Sequence, residues 1–147
     1  MLDLVIVGAG PAGISAAFEA KRAGLDYVVI EKGLIGNTIY HYPVGLTVFS
    51  TTNELEFNEG DLKPAREKPT REELLSYYVR FVLDNELNVQ TEETVLSVSS
   101  AGGVPEEELS TKYTKEKEEG TGNTSFRIIT DKGGYEARSV RPGRRLL

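Results

Sequence analysis

The chain opens on a compact apolar run, LDLVIV at residues 2–7, that stops at a glycine. That pattern suits a short strand buried on both faces of a parallel sheet. From Pro11 to Ala23 the apolar positions Ile14, Ala17 and Phe18, with the stem of Lys21, recur at helical spacing; Pro11 sits in the first turn and Gly24 is placed to stop the helix. DYVVIEK at 26–32 repeats the strand pattern. The three segments make a βαβ unit of about thirty residues, whose right-handed crossover sets the two strands parallel and adjacent.

Residues 33–69 lose periodicity and are sprinkled with Gly, Pro, Asn and Thr, which predicts a long ordered loop with short extended pieces. Thr70 and Glu73 then form a capping box after Pro69, and Leu74, Leu75, Tyr78, Val79 and Val82 draw one apolar stripe, so a second helix follows. NVQ and TVLSVS, within 88–99, read as a third strand running into a ribbon, and SFRIITDKGGYEARSV at 125–140 as its return hairpin with a turn at DKGG. Residues 101–123 between them, rich in Gly, Glu and Lys, are expected to be a mobile insert.

At 147 residues this is enough chain for one domain and short for two. A net charge of -6 offers no general attraction to nucleic acid or an anionic membrane. LVIV falls far below the roughly 20 residues that span a bilayer, and no basic leader precedes it, so a cytoplasmic location is expected. The chain has no cysteine, which excludes disulfides, thiolate metal sites and dithiol chemistry of its own. Redox work would need a borrowed cofactor. Residues 106–119 carry six acids against three lysines and read as a solvated loop, whereas 138–147 carry four arginines and no acid.

GAGPAG at 8–13 fits G-x-G-x-x-G with a strand before it and a helix after it. Gly8 permits the sharp turn, Gly10 the approach of a pyrophosphate, and Gly13 the close seating of the helix; the helix N-terminus supplies N–H groups and a positive dipole end. Glu31 closes the second strand eighteen residues after Gly13, where an acid accepts hydrogen bonds from ribose hydroxyls. A 2′-phosphate there would meet a like charge, so the site is read for FAD or NAD rather than NADP. The residues alone leave those two open, and the long loop after Glu31 favours a flavin.

The blocks GAGPAG, EKG (31–33), NTIYHYP (37–43), TVFSTTNELEF (47–57), KPTREELLSYY (68–78) and FRIIT with YEARSV resemble the N-terminal part of the bacillithiol disulfide reductase family. The resemblance covers nearly all of residues 1–140 except the insert. It implies an α/β fold, with a Rossmann-like βαβ FAD-binding domain whose parallel sheet is joined by a β-ribbon or meander, incomplete relative to the family. It further implies FAD as cofactor and NADPH or NADH as co-substrate. The pyrophosphate would lie at Gly8, Gly10, Pro11, Ala12 and Gly13, the ribose at Glu31 beside Lys32, the flavin end near Asn37, Thr38 and Tyr40, and adenine at the backbone of Val95.

Two departures from that family stand out. Its members usually carry a cysteine, proposed to take part in disulfide chemistry, where this chain has Ala12. They also continue the last strand with apolar residues and insert a whole NAD(P)H-binding domain, whereas here ARSV runs into RPGRRLL. Charges and Pro142 argue against a buried central strand beyond Val140. The expectation is therefore an FAD-binding domain over 1–140, a basic tail over 141–147, no NAD(P)H domain, and truncation, most simply by a reading-frame change.

The function so implied is the FAD-binding portion of an NAD(P)H-dependent oxidoreductase passing electrons to a small disulfide or similar acceptor. A flavin monooxygenase and a non-catalytic flavin-binding fragment are the alternatives. No catalytic side chain and no metal site is assigned; His41 reads as a loop residue and Tyr77 and Tyr78 as packing. The expected partner is a small-molecule cofactor, with a homo-oligomer left open.

Overall fold

A computed structural model of the chain describes residues 1–100 and 125–143. The expected insert at 101–123 and Arg144 to Leu147 of the expected tail lie outside the described residues. The elements in order are β1 (Leu2–Val7), α1 (Pro11–Arg22), β2 (Tyr27–Ile30), α2 (Asn37–Tyr40), α3 (Thr52–Leu55), α4 (Arg71–Asp84), β3 (Val89–Gln90), β4 (Val95–Ser100), β5 (Phe126–Thr130) and β6 (Gly134–Pro142). The strands form one sheet in the order β3-β2-β1-β6-β5-β4. β3, β2, β1 and β6 run parallel to one another, and β5 and β4 continue antiparallel as a meander.

Two apolar clusters flank the parallel strands. On one face Ile6 and Val29 meet Ile14 and Ala17 of α1 and Leu74, Tyr78 and Val82 of α4. Phe18 packs edge-on to Phe81 at 5.0 Å between ring centres, locking α1 to α4. On the other face Val5, Val28 and Ile30 share a cluster with Ile128 of β5, and Val95 and Val98 of β4 pack against it. That apolar face runs continuously across neighbouring strands from β2 through β1 and β6 to the meander. This is why β1 and β2 read as unbroken apolar runs: both of their faces are covered.

The expected third strand divides in two. Val89–Gln90 pairs with β2 at one edge, while Val95–Ser100 pairs with β5 at the other. The break falls where Glu92 takes a positive φ of 56°, and the intervening chain is pinned by Glu92 N–H to Gly33 O (3.0 Å) and Glu93 N–H to Glu31 O (3.0 Å). Periodicity could not show that change of partner, because both pieces alternate alike.

β6 corrects the expected boundary at Val140. It continues through Arg141 and Pro142, which pair with Ile6 and Val7 of β1. Two facts make this cheap. Arg141 is exposed, so its charge keeps its water. Pro142 has its ring nitrogen on the side away from β1, and the next residue keeps the β1 bond through Gly143 N–H to Val7 O at 2.6 Å.

The loop 33–69 is ordered by helix α4. Val48 N–H bonds Pro69 O (2.9 Å), Arg71 N–H bonds Leu46 O (2.7 Å), and the Arg71 guanidinium reaches Tyr40 O from Nε at 3.1 Å. The Glu72 carboxylate accepts from Gly45 N–H, and that bond, with the adjoining Arg71, holds its pKa below the ordinary carboxylate range. Phe57 lies against Tyr77, Tyr78 and Phe81, and its N–H donates to the Tyr77 hydroxyl at 2.8 Å. No helix among the described residues is long and apolar enough to cross a membrane.

Tyr78 is fully buried, with its hydroxyl donating to Leu55 O at 3.2 Å. Burial first, then the neighbouring phenols Tyr77 and Tyr42, push its pKa up to about 12. An unfolded phenol ionises near pH 10, so this contribution is whole below pH 10 and is lost as the pH rises to about 12, costing about 2–3 kcal/mol. Denaturant titrations from pH 9 to 12 should show that decline in the wild type. In Tyr78→Phe it should be shallower by about that amount, with about 1 kcal/mol lost at neutral pH for the missing hydrogen bond.

Candidate cofactor-binding site

The C-terminal ends of β1, β2 and β6 and the first turn of α1 open into a cleft of about 1560 Å³. β1 has β2, the next strand in the chain, on one side and β6, the last, on the other, so the strand order reverses at this point. Open α/β sheets bind ligands at that kind of crevice.

Four glycines shape this region. Gly8 turns with a φ of +107° and donates its N–H to Ile30 O at 2.8 Å. A Cβ on Gly13 would lie 1.9 Å from Gly8 O, so α1 can seat here only without a side chain. A Cβ on Gly143 would lie 2.3 Å from the same oxygen and 2.9 Å from Val7 O. The end of β6 thus clamps the motif from the far side. A Cβ on Gly10 would meet nothing nearer than Gly143 O at 3.9 Å and would project into the cleft.

Gly10 is also the N-cap of α1; no side chain caps the helix, and its first turn holds no acid. The first N–H groups of a helix have no partners within it, so they and the positive dipole end face the cleft. The donor set suits a diphosphate, with Pro11 and Ala12 beside it on the lining.

Glu31 sits at the end of β2, only 7% exposed. One carboxylate oxygen accepts from Ala9 N–H at 2.7 Å and the other from Gly33 N–H at 2.8 Å. These bonds fix the carboxylate against the glycine turn and leave a lone pair on each oxygen for a ligand hydroxyl. Lys32, Asn37, Thr38 and Val95 line the same cleft.

Tyr40 does not. It is 45% exposed, with the Arg71 guanidinium 5.3 Å over its ring. Tyr40 follows Asn37 by one turn, yet its ring lies against Arg71 outside the cleft, and Tyr42, Val48 and Ser50 are among the lining residues instead. His41 is exposed with Nδ1 2.7 Å from Asn37 O, which calls for the tautomer protonated at Nδ1.

Two lining residues had no sequence signal strong enough to single them out. Gly143 lies just past a strand, opposite the glycine turn, and that placement was its only hint. Glu93 reads as one more surface acid beside Glu92, yet it is 5% exposed and accepts from the Thr130 hydroxyl at 2.6 Å and the Tyr135 hydroxyl at 3.2 Å. Burial, then the bond to Glu93, raises the Tyr135 pKa above its ordinary value.

The glycine clamp separates folding from binding. Gly13→Ala and Gly143→Ala should each cost about 1–3 kcal/mol in denaturant unfolding, because backbone must move. Gly10→Ala should stay within about 1 kcal/mol of wild type.

Comparison with known proteins agrees with this geometry. The family model described as pyridine nucleotide-disulphide oxidoreductase matches residues 5–119. Bacilliredoxin reductase Bdr of Bacillus subtilis (strain 168) is 45% identical over 74 residues, which are 50% of this chain and 23% of that protein. The solved bacillithiol disulfide reductase Bdr (YpdA) of Staphylococcus aureus superposes with a TM-score of 0.75 at 33% identity, covering 96% of this chain and 37% of that one. A flavin-containing monooxygenase from Stenotrophomonas maltophilia, at 23% identity and a TM-score of 0.72 over 96% of this chain and 37% of its own, shares the fold. The chain therefore spans well under half the length of these relatives. With its Rossmann-type sheet, its glycine motif and a family match over most of its length, it belongs to the pyridine nucleotide-disulphide oxidoreductase family.

Proposed function

We propose that this chain is the FAD-binding portion of an NAD(P)H-dependent flavoprotein oxidoreductase that delivers electrons to a small disulfide or similar acceptor. The observation that carries the reading is the cleft floor: an uncapped α1 N-terminus beside a glycine turn, with the buried Glu31 carboxylate fixed at the end of the next strand. A dinucleotide diphosphate fits the first feature and a free ribose diol the second.

In this reading Gly10, Ala12 and Gly13 hold the diphosphate through backbone N–H groups, while Gly8, whose N–H is spent on Ile30 O, and Pro11 shape the turn beside it. Glu31 accepts from the ribose, with Lys32 beside it at the rim. Val95 offers its backbone to adenine, and Asn37 and Thr38 offer polar groups toward the flavin end. Bound flavin would supply the two-electron chemistry, taking hydride from a reduced nicotinamide. The chain's share is positioning and electrostatics. Because the sequence holds no cysteine and has Ala12 inside the motif, any thiol for a disulfide step comes from outside these 147 residues.

The test is direct. The purified chain should take up FAD with visible flavin absorbance, and Glu31→Ala should weaken that uptake by about tenfold or more through loss of charged hydrogen bonds to the ribose. Bleaching by NADPH or NADH would extend the reading to turnover. Uptake without bleaching would restrict it to cofactor binding, and a colourless chain after incubation with FAD would end it.

A further inference from the structure

The distal wall of the cleft is made by a segment that cannot hold its own shape. Helix α2, Asn37–Tyr40, is four residues long, far short of what a helix needs to stand alone. Residues 41–50 form no helix and no ladder beyond the single bridge between Thr47 and Thr70. Apart from the turn of α2 itself, the main-chain hydrogen bonds that tie 41–50 to the rest of the described protein end at residues 69–72. Gly45 N–H donates to the Glu72 carboxylate at 3.1 Å, Arg71 N–H to Leu46 O at 2.7 Å, and Val48 N–H to Pro69 O at 2.9 Å.

One side chain joins the two parts of this wall. Arg71 donates from Nε and Nη2 to Tyr40 O, at the C-terminal end of α2, and from Nη1 to Glu72 Oε1 at 2.9 Å. Its planar fork thus serves a helix-end carbonyl and braces the carboxylate that receives Gly45. Exposed ion pairs contribute little, but the Arg71 side chain is only 13% exposed, so water competes weakly for it. Arg71 and Glu72 are not on the cleft lining, whereas Asn37, Thr38, Tyr42, Val48 and Ser50, in the segment they hold, are on it. The floor has separate supports, the Gly13 and Gly143 contacts with Gly8 and the Glu31 bonds to Ala9 and Gly33.

We propose that Arg71 and Glu72 are positioning residues for the flavin end of the cofactor, setting the distal wall without touching the ligand. The inference rests on the FAD reading above, in which diphosphate and ribose occupy the floor and the flavin end meets residues 37–50. Loss of either side chain frees main chain at Tyr40 or Gly45, and the wall must then be ordered at the expense of binding. That cost falls on a ligand that reaches the wall. A ligand that ends at the diphosphate, such as ADP, meets only the floor.

The experiment measures FAD binding by flavin fluorescence, and ADP binding by displacement of FAD, in the 147-residue chain and its variants. Arg71→Ala should weaken FAD by about tenfold, the size of lost charged hydrogen bonds, and leave ADP within about twofold of wild type. Glu72→Ala, at a more exposed side chain, should lower the preference for FAD over ADP by about threefold, and it decides the matter if Arg71→Ala does not fold. The visible band of bound flavin should move toward that of free FAD in both variants, a change that a general loss of stability would not produce in the bound fraction. Equal losses for the two ligands, or an unchanged FAD-to-ADP ratio in the folded variants, overturn the proposal. If wild type takes up no FAD, or holds FAD that ADP cannot displace, the cofactor reading of the floor fails and this inference with it. Wild-type binding of both, with the ratio unmoved in the variants, sinks this inference alone.

Discussion

Three backbones meet around the carbonyl oxygen of Gly8, and the rest of the site depends on that approach. Helix α1 comes in at Gly13 and the end of β6 at Gly143, each so close that a single methyl group would overlap Gly8 O. Closeness sets the direction of α1, whose N-terminus then opens onto the ends of β1 and β2. It also brings Glu31 within reach of Ala9 N–H, so the carboxylate becomes part of the turn rather than a neighbour of it. A larger residue at either contact would tilt the helix and lose the alignment of donors that makes the cleft suit an anion.

Charge is divided along the cleft in a way that follows from the backbone. The α1 dipole and its free N–H groups lie at the centre, without an acid in the first turn. Glu31 and Glu93 lie together at one end, joined through a main-chain hydrogen bond. A ligand with phosphates beside the α1 N-terminus and neutral hydroxyls beside Glu31 matches this layout. The loop 37–50 forms the other end and depends on the first residues of α4, where Arg71 and Glu72 grip the main chain at Tyr40 and Gly45.

Much of this was legible from residue order alone because it is local. The βαβ unit, the capping box at Thr70 and Glu73, and the placement of Glu31 after the second strand all depend on short-range spacing, and each is present. What was misread depends on distant partners. Tyr40, expected to offer a polar contact toward the flavin end, lies off the cleft lining, with Arg71, thirty-one residues on, bonded to its carbonyl and over its ring. Arg141 and Pro142 look unfit for a central strand, yet they pair with Ile6 and Val7 from the other end of the chain, with Arg141 exposed.

The sequence by itself determined the glycine motif and the first half of the fold, since glycine spacing, apolar runs and helix caps act over a few residues and leave few alternatives. It also determined what the chain cannot supply, a thiol. Only the tertiary structure decided that the third strand splits to opposite edges, that Gly143 closes the motif, and that Glu93 is buried beside Glu31. Those outcomes depend on which strands pair across long separations, and an acid or a glycine carries no mark of its partner until the sheet has formed.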